Sequence, residues 1–180
     1  IGMGHGAEAG RSRRETTVGN IELAPGKYLA TEHEFLDSSS MSDAAIHHAV
    51  ETLRSRGCEV IVASESYSVD DPTNELRVIK VANDCGMIAT GGYEISQLYG
   101  LSSRTAVNAA LIPKMMETAD MTEAAVRGSG ISKPLMIMRC DGGVMSIDEV
   151  RKRPILTMLS GLAAGVAGAL MYEKINDGIF

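Results

Sequence analysis

Residues Ser42-Asp-Ala-Ala-Ile46-His-His-Ala-Val50-Glu-Thr-Leu53-Arg-Ser-Arg-Gly57 run through Cys58 into Glu59-Val60-Ile61-Val62-Ala63-Ser64, and this join decides the fold class. Ile46, Ala49, Val50 and Leu53 fall at i, i+3, i+4 and i+7, the spacing of one buried face on an amphipathic helix, and Gly57 supplies its stop. The run from Glu59 to Ser64 is short and rich in β-branched residues, which suits a strand covered on both faces. Asp71-Pro72 then opens a second helix, with Asp as N-cap and Pro at the first helical position, ending near Gly86. Met87 to Thr90 is a candidate short strand.

Working outward, the same punctuation recurs. A longer helical stretch is expected from Ser103 to about Ala119, with a kink or break at Pro113. Thr122 is expected to start a short helix ended by Gly128 or Gly130. Pro134 to Arg139 reads as a strand closing on Asp141-Gly142-Gly143, and Ser146 with Glu149 forms a capping-box pair opening a helix that Pro154 ends. An Ala/Gly-rich helix runs from Ser160 to about Ile175, and Ile179-Phe180 reads as the start of a strand. Toward the N-terminus, Lys27 to Phe35 holds a possible strand after the Pro25-Gly26 turn. Residues 1–25, with glycines at 2, 4, 6, 10 and 19, read as an irregular segment. Alternating β and α elements imply an α/β fold with a mixed or largely parallel sheet and flanking helices. The expected organisation is an irregular segment at 1–25 and an α/β body at 26–180.

Composition narrows the function. At 180 residues, with 44% hydrophobic and 22% charged, the chain can bury a core without metal or disulfide staples. A net charge of −6 argues against nucleic-acid binding, which needs a cationic surface. The odd set Cys58, Cys85 and Cys140, with no CxxC spacing, fits reduced thiols in the cytoplasm. No signal peptide pattern opens the chain, and its start at Ile1 and apolar finish at Phe180 suggest a piece of a longer protein. The 19 uncharged residues from Pro154 to Tyr172, with Gly161-x-x-x-Gly165, have the length of a membrane helix. Their Pro, Thr, Ser, Gly and Ala content favours a close-packed helix in a water-soluble protein instead.

Local constellations are sparse. No GxxxxGK[ST] loop and no GxSxG elbow is present. Gly2-Met3-Gly4-His5-Gly6 has the glycine density of an anion nest, but without a preceding strand it reads as a mobile terminus. Asp141-Gly142-Gly143 follows an expected strand, where α/β ligand sites lie, and is equally explained as a turn. His47 and His48, adjacent on a helix, diverge by about 100° and cannot share a metal. Glu32 and Glu34 share one face with His33 opposite, as on a solvated strand. No metal site is expected.

The resemblance comes from five ordered stretches. They are Ile61-Val-Ala-Ser-Glu-Ser-Tyr-Ser-Val-Asp-Asp-Pro-Thr-Asn-Glu75, Tyr93-Glu-Ile-Ser-Gln-Leu-Tyr-Gly100, Arg104-Thr-Ala-Val-Asn-Ala-Ala-Leu-Ile-Pro113, Met136-Ile-Met-Arg-Cys-Asp-Gly-Gly-Val144 and Arg153-Pro-Ile-Leu-Thr-Met-Leu-Ser-Gly161. Together they resemble the hydantoinase/5-oxoprolinase family, which includes N-methylhydantoinase A subunits and acetone-carboxylase-like β subunits. The resemblance runs from about residue 24 onward and covers a central segment of such proteins.

It implies a ribonuclease-H-like lobe of the sugar kinase, Hsp70 and actin type. It also implies ATP-dependent chemistry on cyclic amides, imides or small carbonyl compounds, in which ATP phosphorylates the carbonyl oxygen. ATP and Mg are therefore expected cofactors of the parent enzyme, with a small-molecule substrate and, as partner, a second subunit or domain or a further copy in a homo-oligomer. The family's two phosphate loops would lie before Ile1 and after Phe180, so the isolated chain is expected to be inactive. Arg104, Thr105, Asp141, Gly142 and Gly143 are the residues expected near substrate or phosphate, and Ser160, Gly161 and Gly165 those of a hinge helix. Leu162 stands where the family usually has Pro, Tyr93 where it often has His, and the region of Arg104 is about a residue short. A standalone α/β binding or regulatory module that has lost its ATP grip is the alternative.

Overall fold

A computed structural model describes residues 1–95 and 103–173. The chain divides into two compact units, Ile1–Ala110 and Leu111–Phe180.

The first unit is built on a four-stranded, wholly parallel sheet. Its strands are β1 (Gly2–Gly4), β4 (Phe35–Asp37), β5 (Val60–Glu65) and β6 (Ile88–Gly91), in the order β4-β1-β5-β6. A separate antiparallel hairpin, β2 (Ile21–Ala24) with β3 (Lys27–Leu29), lies between β1 and β4 in sequence. The helices α1 (Ala9–Thr16), α2 (Asp43–Ser55) and α3 (Thr73–Asp84) supply the crossovers. The α/β class and the largely parallel sheet expected from the sequence are what the structure contains.

Helix α2 forms as its pattern predicts. Ser42 caps it, its Oγ accepting from Ala45 N at 3.2 Å, and Ile46, Ala49, Val50 and Leu53 are all buried. Helix α3 starts at Thr73, one residue later than expected. Asp71 still closes its entry, with Oδ1 accepting from Thr73 N at 3.1 Å and from Thr73 Oγ1 at 2.6 Å. Val78 and Ala82 of α3 join Met3, Ile46, Val50 and Ile61 in one core. Each fully buried Ile or Val there contributes about 1.5–3 kcal/mol. Arg77 clamps α3 to the start of α2 through Asp43 (2.6 Å) and the Met41 carbonyl (2.9 Å).

Residues 1–25 are not irregular. Gly2–Gly4 is an inner strand, and Ala9–Thr16 is a helix packed on it. Alternation along the strand explains this. Met3 points to the side of α2 and α3 and is wholly buried, whereas Gly2 and Gly4 point at α1. A Cβ on Gly2 would lie 2.1 Å from Thr16 Oγ1, and one on Gly4 2.8 Å from Ser12 Cβ. The glycines admit a helix whose inner face is Ser12 and Thr16. The structure therefore replaces a mobile terminus with a strand at the centre of the sheet.

Helix α5 (Ser103–Gly128) also departs from expectation, because it runs through Pro113 without a break. Proline removes one i to i−4 hydrogen bond, while Ala109, Ile112 and Ala119 on either side are buried. Thr122 starts no new helix but lies inside α5, where its hydroxyl donates back to Thr118 O at 2.8 Å.

In the second unit, β7 (Met136–Met138) and β8 (Val144–Ser146) form an antiparallel hairpin. The capped helix α6 (Ile147–Lys152) follows, with Ser146 Oγ accepting from Glu149 N at 3.3 Å. Met145, Ile147 and Val150 bury against Ala119. Arg151 reaches Asp120, Glu123 and Asp148, tying α6 to α5. A short 3-10 turn, Pro154–Thr157, leads into α7 (Ser160–Gly168) and a π-helical turn, Ala169–Glu173. The expected helix end at Ile175 and the strand at Ile179-Phe180 lie outside the described residues. Among the described residues no helix is long and apolar enough to cross a membrane.

Candidate functional site

The sheet order fixes where a ligand site can form. From β1 the chain moves outward to β4, while from β5 it moves the opposite way to β6. Adjacent parallel strands whose connections depart in opposite directions leave a crevice at their carboxyl ends. In this unit that switch point lies between β1 and β5.

The residues there are polar. Beyond β1 come His5 and Gly6, the latter at φ +61°, in a glycine turn that feeds α1. His5 Nδ1 lies 3.0 Å from Ser38 Oγ, just past β4. Ser66, just past β5, lies 3.2 Å from Ser12 on α1, Oγ to Oγ. Asp37, at the end of β4, accepts from the backbone N and the hydroxyl of Ser39, and these bonds hold its carboxyl below the usual range. Glu65, at the end of β5, is fixed by Asn74 Nδ2 at 2.8 Å.

Beneath this rim lies a buried acid that sequence spacing does not single out. Glu75, in the first turn of α3, is wholly shielded from solvent. Its Oε1 accepts from Glu65 N at 2.9 Å and its Oε2 from Tyr93 N at 3.1 Å. Burial pushes its carboxyl up, opposed by hydrogen bonds from Ser68 and the two backbone amides. Gly91 and Gly92 make room for it, since a Cβ on Gly91 would lie 2.7 Å from Glu75 Oε2. Glu75 thus joins the loop after β5 to the start of α4 (Gly92–Ile95) across the carboxyl edge. The only sequence signal was its place in the first turn after Asp71-Pro72. Tyr93 donates its hydroxyl to Glu94 Oε1 at 3.2 Å, and burial with the nearby carboxylates raises it to about 12. It stays a neutral phenol.

The residues singled out by sequence lie on α5, on the β7–β8 turn and on α7. Arg104 and Thr105 lie in the first turn of α5, Arg104 exposed and Thr105 buried, its Oγ1 without a hydrogen-bond partner among the described residues. Asp141, Gly142 and Gly143 come together in the exposed β7–β8 turn. Asp141 Oδ1 accepts from Gly143 N at 3.0 Å, and Oδ2 meets Arg139 at 2.5 Å. Gly142 takes φ +83° there. Ser160, Gly161 and Gly165 lie on α7, where a Cβ on either glycine meets nothing within 4 Å among the described residues.

A parallel α/β sheet with a carboxyl-edge crevice defines the class of fold. Residues 102–180 match the family model described as hydantoinase/oxoprolinase. Over 150 residues it is 26% identical to caprolactamase subunit alpha of Pseudomonas jessenii, covering 81% of this chain and 21% of that protein. The nucleotide-free structure of acetone carboxylase, solved for the mechanism of ATP-dependent acetone carboxylation, shares the fold. Its TM-score is 0.58 over 73% of this chain and 20% of that one, at 21% identity. The chain spans about a fifth of the length of each relative.

Proposed function

We propose that this chain is part of an ATP-dependent enzyme of the hydantoinase/oxoprolinase type, acting on cyclic amides, imides or small carbonyl compounds in the cytoplasm. The observation that supports it most is the coincidence of the family segment at 102–180 with a parallel sheet whose glycine turn opens at the β1/β5 switch point. ATP supplies a phosphoryl group to the carbonyl oxygen, which turns a poor electrophile into one with a leaving group. Such catalysis rests on positioning and on stabilising phosphate charge.

This chain's part is to bind and orient. The turn at His5-Gly6 offers backbone N–H groups to an anion, and Ser12, Ser38 and Ser66 offer hydroxyls. Asp37 and Glu65 are the carboxylates suited to Mg. Arg104, Thr105 and the Asp141-Gly142-Gly143 turn serve the substrate or phosphate side of the whole enzyme, and Ser160, Gly161 and Gly165 its hinge. The isolated chain is inactive and needs the remaining domain or subunit.

The test is ATP hydrolysis with and without 5-oxoproline or hydantoin, by this chain and by the full-length protein with its partner. The expected result is substrate-stimulated hydrolysis by the whole protein alone, lowered at least about tenfold by Gly6→Val, which strains a positive-φ position. Robust turnover by the 180-residue chain overturns its inactivity. Absence of stimulation by any cyclic amide in the whole protein overturns the assigned chemistry.

A further inference from the structure

A second cluster of reactive side chains lies in the first unit, on α2 and the end of α3. His47 and Glu51 are one helical turn apart on α2 and so share a face. Cys85, the C-cap of α3, comes up beside them. One ligand atom from each of the three lies within 4.8 Å of the other two. His47 is exposed, and Glu51 and Cys85 are half-buried. The adjacent pair His47-His48 diverges, but the chelating partners of His47 are one turn along its own helix and across the packed helix.

We propose that His47, Glu51 and Cys85 form a binding site for a zinc-class divalent cation, which clasps α2 to the C-terminal end of α3. The donor set of one imidazole nitrogen, one carboxylate oxygen and one sulfur suits a borderline metal such as Zn, and disfavours Mg or Ca, which take oxygen ligands. Bond lengths of roughly 2.0–2.3 Å put tetrahedral ligand atoms about 3.3–3.8 Å apart. The cluster needs to contract by about 1 Å against that spacing. Side-chain rotation, chiefly of the exposed His47, is what would close this gap.

The frame is already set by Arg54. Its Nη1 holds Glu51 Oε1 at 2.7 Å and its Nη2 donates to the Cys85 carbonyl, so one guanidinium joins both ligand-bearing helices. Glu51 has a second carboxylate oxygen besides the one held by Arg54. Binding replaces the Cys85 S–H bond by a metal–sulfur bond and releases the proton to solvent. Water fills the fourth position, as at sites with three protein ligands. The site is separate from the carboxyl-edge crevice and does not depend on the proposed activity.

The experiment is titration of the 180-residue chain with Co(II), followed by displacement with Zn(II). One equivalent of Co(II) is expected to produce a near-ultraviolet thiolate-to-cobalt band that Zn(II) bleaches. Cys85→Ser abolishes the band, whereas Cys58→Ser and Cys140→Ser keep it. His47→Gln weakens Zn(II) binding at least about tenfold, since even outer-shell changes cost 10–100-fold at metal sites. In the unsubstituted chain alone, Zn(II) also raises the urea midpoint. No band, a band that survives Cys85→Ser, or equal Zn(II) affinity in His47→Gln overturns the proposal.

Discussion

Two glycine-rich stretches in this chain have nearly the same composition signal and opposite structural meanings. In Gly2-Met3-Gly4 the strand glycines are obligatory, because α1 packs onto them so closely that a Cβ would overlap Thr16 or Ser12. In α7, Gly161, Gly165 and Gly168 face open space among the described residues. Sequence alone suggests the reverse assignment, a frayed end for the first and a close-packed helix for the second. A glycine is needed for what approaches it, and the approaching group comes from elsewhere in the chain.

Substitutions in β1 carry the largest expected effect. Gly2→Val or Gly4→Val is expected to cost about 3 kcal/mol or more, the upper range for overpacking, seen as a lowered urea midpoint. A change below about 0.5 kcal/mol would show that α1 does not seat on this strand. Next in size is Glu75→Ala, which leaves the amides of Glu65 and Tyr93 without their acceptor. The expected loss is about 1–3 kcal/mol per orphaned donor. Glu75→Gln, with a single acceptor oxygen, should fall between the two in hydrogen-exchange protection of those amides.

Ser42→Ala and Ser146→Ala each remove a helix N-cap and should each cost about 1 kcal/mol. Gly165→Ala should go the other way and stabilise by about 0.5–1 kcal/mol, because a helical glycine with free space gains from a methyl group. Destabilisation there would mean that α7 is closely covered in solution.

The smallest effect is that of pH. Burial, helped by Arg13, lowers His33 below its ordinary 6.5, and its ring is held by Thr16 Oγ1 at 3.0 Å. The unfolded chain therefore takes up a proton first as pH falls. The stability this group contributes is complete above pH 6.5 and drains away below it. Glu75, raised above 4.5, has the opposite sign: its contribution is complete below pH 4.5 and is lost as pH rises through its folded value. A urea midpoint that falls between pH 7 and 6 in the unsubstituted chain, and falls less in His33→Gln, is the expected outcome.

Legibility followed the range of the interaction. The helix at Ser42, the entry at Asp71 and the cap at Ser146 were readable, because each is decided by residues within one turn. The pairing of Glu32 and Glu34 on one side also held, since both reach Arg56, at 3.5 and 2.9 Å. Strand β1 was not readable. It is three residues long with no β-branched side chain, and its identity comes from β4, β5 and α1. The crevice at the β1/β5 switch point was hidden with it. Glu75 was not singled out by its spacing, because its two amide partners lie 10 and 18 residues away.

Local sequence sets the α/β class, the core face of α2 and the presence of strand β5, and carries the resemblance to the hydantoinase/oxoprolinase family. Each of these is written in periodicity, caps or ordered motifs along the chain. Tertiary structure alone decided that β1 is central, that Pro113 does not interrupt α5, and that His47 and Glu51 meet Cys85. Those outcomes depend on which distant surfaces bury one another, and the energy of burial has no signature in local spacing.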